Sequence, residues 1–284
     1  SKGEYEVKYF PYDWRLTCSR SADTLHTFIN NNGYTSVVLI AHSMGGIVAS
    51  KYLAKGSAQR AKVEKFIALG TPFLGAPYAV RAYVEGLDFG FLAQIVGVNS
   101  TIKSIIPNIA SIYELFPTKQ WFSLTNEPVC NYSCINAGSA PTGPYVAQTY
   151  NDTRAYLYNT LLSEPNKSLL NNAESMHDSL FIGSQHVLSY VNSYFIVGTN
   201  LSTAKSVHNI IVSYGGYSSS TEFTYANCGD GTVPTWSADL GGTNPSRTFY
   251  ALNRDHGGEL TDDGSDKKEG LVVSNNVIPK IKHI

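Results

Sequence analysis

The chain has 284 residues, with 21 Lys and Arg against 22 Asp and Glu, for a formal charge of −1. That length allows a substantial buried core, and the balanced charge offers no basic patch, so nucleic acid is not the expected partner. No apolar run is long enough to cross a bilayer as a helix.

Residues 4–12 alternate and are rich in aromatics, which reads as a strand. They end in Pro11-Tyr12-Asp13-Trp14-Arg15, where Asp13 and Arg15 can pair. A structural corner is favoured there over Tyr12 or Trp14 lining an acyl pocket. Residues 21–31 read as a helix, with Ser21 as N-cap candidate and Asn32-Gly33 as the stop.

Val37-Val38-Leu39-Ile40-Ala41 runs directly into His42-Ser43-Met44-Gly45-Gly46. An apolar, β-branched run of this kind suits a strand buried in a parallel sheet. Residues 47–54 have helical spacing and stop at Lys55-Gly56. Ser43 thus sits between a buried strand and a helix, the context of a nucleophile elbow. Ala41 and Gly45 are the small residues flanking the turn. The Met44 N–H, at the helix N-terminus, is placed to meet a developing oxyanion.

Residues 63–69 read as the next strand, closing in the Gly- and Pro-rich loop of residues 70–77. From residue 78 to residue 194 the strand–helix alternation stops. Phe89, Phe91, Leu92, Ile95, Val96 and Val98 form one apolar stretch, and residues 102–116 form another. A turn-rich segment spans residues 126–143, while residues 150–170 and 177–191 look helical. An insertion this long reads as a mainly helical cap. The expected division is core at 1–76, cap or lid at 77–194, and core again at 195–284. Exposed apolar cap surface would suit transient contact with a membrane or lipid surface.

Cys130 and Cys134 flank Asn-Tyr-Ser, which could form a turn closing a local disulfide; two separate thiols are the alternative. A disulfide would place the chain in an oxidising compartment, such as outside the cell. The sequons at Asn99, Asn131, Asn151, Asn166 and Asn200 are no more than chance gives. There is no metal motif, no EF-hand spacing at residues 262–266 and no cofactor signature.

Strands are expected again at residues 193–198 and 207–214. Asp230 then stands between Gly229 and Gly231 on a tight turn. A last strand at residues 247–252 leads to His256 in a loop. The order Ser43, Asp230, His256 is that of α/β-hydrolases. A neutral imidazole is needed to take the serine proton, and a carboxylate to hold the imidazole in the right tautomer. The rival acids are Asp13, Asp255, Asp262 and Asp263. The rival histidines are His26, His42, His177, His186, His208 and His283; His42, beside the elbow serine, is expected to face away.

Six stretches together resemble the lecithin:cholesterol acyltransferase-like family of α/β-hydrolases, which includes lysosomal phospholipase A. They are Pro11-Tyr12-Asp13-Trp14-Arg15, Ala41-His42-Ser43-Met44-Gly45-Gly46, Gly70-Thr71-Pro72-Phe73-Leu74-Gly75, Ile112-Tyr113-Glu114-Leu115-Phe116-Pro117, Gly229-Asp230-Gly231-Thr232-Val233-Pro234 and the His256 loop. The resemblance implies an α/β-hydrolase core with a mostly parallel sheet. It implies acyl transfer from a lipid ester through an acyl-serine, to water or an alcohol. It also implies Ser43, Asp230 and His256 as triad, with the Met44 N–H as one oxyanion donor. Family members carry earlier strands and an x-Pro-Gly loop that supplies a second donor, and losing one such donor costs about 10²–10³ in rate. The chain begins after that loop. The first core strands are therefore expected to be absent from this chain, and a separate N-terminal chain is one way to complete the core. A small-ester esterase on the same core, or a non-catalytic lipid-binding protein, are the competing readings.

Overall fold

The computed structural model describes residues 5–85, 105–124, 130–136, 146–147, 149–158, 162–213 and 217–257. The first helix, α1 (Cys18–Asn31), buries Cys18, Ser21, Ala22, Leu25 and Ile29, one stripe at helical spacing. Its cap is Thr17, whose hydroxyl accepts from the Arg20 N–H; Ser21 is instead inside the helix and buried. Strand β1 (Val37–His42), helix α2 (Met44–Ala54), helix α3 (Ser57–Lys62) and strand β2 (Val63–Leu69) follow. Strand β2 is buried at five of its seven positions, as a central strand of an α/β sheet requires.

Helix α4 (Pro77–Glu85) opens the region between the two halves of the core. Helices α5 (Ala110–Glu114) and α6 (Lys119–Leu124), strands β3 (Cys130–Asn136) and β4 (Val146–Ala147), and helices α7 (Tyr150–Tyr156) and α8 (Glu164–Asp178) come next. The helix expected across residues 150–170 is broken, because Ser163 starts a new helix with Pro165 in its first turn. The helix expected at residues 177–191 is a short hairpin, β5 (Phe181–Ile182) and β6 (Gln185–His186), followed by a single 3₁₀ turn. Gly183-Ser184 turns the chain there and ends the helical pattern. The apolar stretch at residues 89–98 lies outside the described residues.

The core sheet has the order β1-β2-β7-β10 and every pairing in it is parallel, with β7 at Ser193–Thr199 and β10 at Thr248–Leu252. All four strands therefore end at the same edge, where ligands bind in open α/β sheets. Strand β1 is an edge strand among the described residues, and Ile40 on it is 57% exposed. Residues 5–12, expected as a strand, belong to no sheet: Val7 and Tyr9 are 91% and 85% exposed. Alternating side chains do not make a strand without a neighbour to accept its hydrogen bonds.

A second sheet, β4-β3-β8-β9, contains the long hairpin β8 (Leu201–Ser213) and β9 (Tyr217–Gly229). The strand expected near residues 207–214 is thus real, but it pairs with β3 and β9 rather than with the core sheet. Strand β3 also removes the turn expected between Cys130 and Cys134. Both residues lie on one continuous strand, about 13 Å apart along it at ~3.3 Å per residue, beyond the ~7 Å a disulfide can span.

The segment Ile112 to Pro117 joins the inserted helices to the core. The Glu114 carboxylate accepts from the Cys18 N–H at 2.6 Å, which places a buried acid at the N-terminus of α1. His177 Nε2–H donates to the Glu114 carbonyl at 2.7 Å. The Ala76 N–H donates to the Leu115 carbonyl, and the Thr118 N–H to that of Leu74. Burial holds the Glu114 carboxyl above the usual carboxylate range.

Candidate active site

Ser43 stands between the last residue of β1 and the first of α2, with φ 53° and ψ −132°. A positive φ at a residue with a side chain is a strained conformation that its surroundings must hold. The Ser43 N–H donates to the Leu69 carbonyl of β2 at 2.9 Å, and its own carbonyl accepts from the Gly46 N–H at 3.0 Å. The Met44 N–H is the first of the helix and has no backbone partner among the described residues. Of the small residues after the serine, Gly46 is the one that space demands. A Cβ there would fall 2.0 Å from the buried Thr71 Oγ1, whereas one on Gly45 would meet nothing closer than 3.6 Å.

Asp230 follows a strand of the second sheet, and topology explains how it reaches the core. The hairpin β8–β9 leaves from the end of β7 and returns with Gly229 opposite Leu201. Residue 230 therefore comes back beside residue 198: a Cβ on Gly198 would lie 2.5 Å from the Asp230 Cβ. Its carboxylate is oriented by two backbone amides, with Oδ1 accepting from the N–H of Thr232 at 3.0 Å and of Val233 at 2.7 Å. The Thr203 hydroxyl oxygen accepts from the Gly231 N–H and fixes the turn from the hairpin side. Gly198→Ala is expected to push Asp230 away, at a cost of about 1–3 kcal/mol in stability. Turnover should fall with it, and steady-state kinetics beside thermal unfolding checks both.

His256 lies just past β10, and its N–H donates to the Asp230 carbonyl at 3.0 Å. Its Nδ1 and Asp230 Oδ2 are 2.8 Å apart, and its Nε2 and Ser43 Oγ are 2.8 Å apart. With Nδ1 protonated toward the carboxylate, Nε2 is left to accept the serine proton. Asp230 and His256 are buried, at 1% and 5% exposure, so the field between them is little screened. Burial disfavours the imidazolium, but Asp230, by charge and hydrogen bond, outweighs it and holds the His256 pKa above the ordinary 6.5. A base must be neutral to act. Activity is therefore expected to rise with pH through a midpoint above 6.5, which a pH profile of kcat/KM measures.

The rival residues take other places. Asp13 receives both Arg15 Nε–H and an Arg15 terminal N–H, at 2.8 and 2.7 Å, which forms the expected corner. Those bonds pull its carboxyl down to about 2. Asp255 accepts from the Gly257 N–H, and His26 pairs with Asn30. His177 holds the Glu114 carbonyl, while His186 caps a 3₁₀ turn through Nδ1. The side chain of His208, and residues Asp262, Asp263 and His283, lie outside what is described. His42 does not face away from the site. Its ring lies 4.8 Å from that of His256. Gly198 and Thr203 carry no local sequence signal, because only the fold places them beside Asp230.

A cavity of about 260 Å³ lies among the inserted helices, lined by Tyr113, Phe116, Tyr150, Arg154 and Glu174 among others. It is separate from Ser43, Asp230 and His256. Among the described residues no three His, Cys, Asp or Glu side chains are placed to share a metal ion.

Comparison with known proteins agrees with this architecture. Residues 4–140 match the sequence profile of the family described as lecithin:cholesterol acyltransferase. The Arabidopsis thaliana phospholipase A(1) LCAT3 is 31% identical over 107 residues, 34% of this chain and 23% of that protein. The lecithin-cholesterol acyltransferase-like 4 protein of the same plant is 29% identical over 124 residues, 39% of this chain and 23% of that protein. These matches thus span under a quarter of each relative's length. A chain of the solved Tle4–Tli4 complex superposes on 90% of this chain and 62% of its own, with TM-score 0.56 and 13% identity, a likeness of fold. Over residues 4–140 the sequence is thus similar to the lecithin:cholesterol acyltransferase family, and over most of its length the chain has an α/β fold like that of the solved neighbour.

Proposed function

We propose that this chain carries the catalytic residues of a serine-dependent lipid acyl hydrolase or acyltransferase, of phospholipase A or lipase type. The observation that carries the reading is the unbroken chain from Asp230 through His256 to Ser43, both links 2.8 Å, ending on a serine held at positive φ before a helix. The similarity to lecithin:cholesterol acyltransferase and phospholipase A(1) proteins directs it toward lipid esters.

In this reading Ser43 Oγ attacks the ester carbonyl carbon while its proton passes to His256 Nε2. The carbonyl oxygen becomes an oxyanion that the Met44 N–H, at the positive end of α2, stabilises. Asp230 stabilises the imidazolium without taking its proton. The tetrahedral intermediate collapses, the alcohol leaves with the proton from His256, and an acyl-serine remains. Water or an acceptor alcohol then gives His256 a proton and attacks the acyl carbon, and His256 returns that proton to Ser43 Oγ as the acyl–serine bond breaks. In this reading the region inserted between β2 and β7 serves as the cap that shields the acyl group.

The test is a burst experiment with p-nitrophenyl esters of increasing chain length, followed by phosphatidylcholine vesicles. One nitrophenolate released per chain before steady turnover, and fatty acid released from the vesicles, supports the proposal. Turnover confined to the shortest esters would favour a small-ester esterase. Ester turnover that persists in Ser43→Ala would end the acyl-serine mechanism for this chain.

A further inference from the structure

The His42 ring is half-buried beside the site, and its Nε2 lies 2.7 Å from the backbone carbonyl oxygen of His256. A carbonyl only accepts, so Nε2 carries the proton and donates. The two rings stand 4.8 Å apart and tilted by 41°. His42 is the last residue of β1 and its chain neighbour is Ser43. The bond therefore ties the strand that carries the serine to the loop that carries the base, across 214 positions of sequence.

The other bonds on His256 do not set that spacing. Its backbone N–H and its Nδ1 both go to Asp230, which rides on the β9 turn. They fix the base relative to the acid. Apart from the hydrogen bond to Ser43 that catalysis must break, the His42 bond is the direct link between the base loop and β1 among these contacts.

We propose that His42 is a positioning residue: its Nε2–H holds the His256 carbonyl and so sets the distance over which the Ser43 proton is transferred. This deepens the acyl-serine reading and rests on it. The bond needs a neutral His42. Among the described residues, the titratable groups that act on it are His256, on the β10 loop, and Asp230, on the β9 turn. Burial, then the neighbouring His256, pushes the His42 pKa down to about 4. His42 thus stays neutral through the range in which His256 titrates, and only one imidazole of the pair becomes charged there.

The intact protein supplies a test that needs no substitution. Long-range ¹H–¹⁵N spectra of the imidazoles should show His42 as the neutral Nε2–H tautomer from pH 5 to pH 8. The Nδ1–H tautomer, or titration of His42 near 6.5, would overturn the proposal. In kinetics, His42→Leu should lower kcat about tenfold to a hundredfold with KM within about twofold, since a misplacement near 1 Å can cost ~10². Its acid limb should also move, because the base is no longer held in place. His42→Gln, whose amide can still donate, should recover most of kcat. Parent kcat in a folded His42→Leu, or no recovery in a folded His42→Gln, would contradict it. If Ser43→Ala abolishes turnover while both His42 variants behave as the parent, the positioning role fails and the acyl-serine reading stands.

Discussion

Replacing Ser43 by Ala is expected to remove turnover almost entirely, by up to about 10⁶-fold, because the three groups act as one unit. The substitution deletes a single oxygen. The His256–Asp230 pair, the Asp230 turn and the buried core do not depend on it. The folded state should survive, and relief of the positive φ strain is limited because Ala also carries a Cβ. Thermal unfolding within a few degrees of the parent, beside the loss of ester turnover, is the expected pair of results. A large drop in stability would mean that Ser43 supports the elbow rather than the chemistry. Retained turnover would mean that the nucleophile lies elsewhere.

Asp230→Asn is expected to cost about 10⁴ in kcat. The asparagine amide can present its nitrogen to His256 Nδ1, which then must accept, and Nε2 becomes protonated. That is the wrong tautomer for taking a proton from Ser43, now 2.8 Å away from a donor. Removing the carboxylate also removes what holds His256 above its ordinary pKa while burial continues to lower it. The acid limb of whatever activity remains should therefore move to lower pH. A variant with the parent's limb would show that Asp230 does not set the protonation of His256.

The site was legible in sequence wherever the signal was local. Five apolar residues, a serine and a helix start gave the elbow. Residues 63–69 were bounded by turn chemistry at both ends and agree with β2. Asp230 was legible as a carboxylate on a tight turn, but not the reason it reaches the core. That depends on β8 and β9 pairing outside the core sheet and returning to Gly198. His42 was misjudged for a related reason. A motif implies the direction of the serine, while the partner of the preceding histidine comes from a loop 214 residues later. Residues 4–12 have the alternation of a strand, yet pairing is a property of two segments, and one segment's pattern cannot supply it. Where the expected helix at residues 177–191 gave way to a hairpin, Gly183-Ser184 outweighed the apolar spacing on either side.

The most direct test of the account is intact-mass analysis after exposure to a fluorophosphonate, which reacts with an activated serine. One adduct per chain is expected, mapped by peptide sequencing to Ser43, with labelling lost in His256→Ala and the protein still folded. An adduct on another serine, or equal labelling of the parent and His256→Ala, would contradict the assignment of Ser43 as a nucleophile activated by His256.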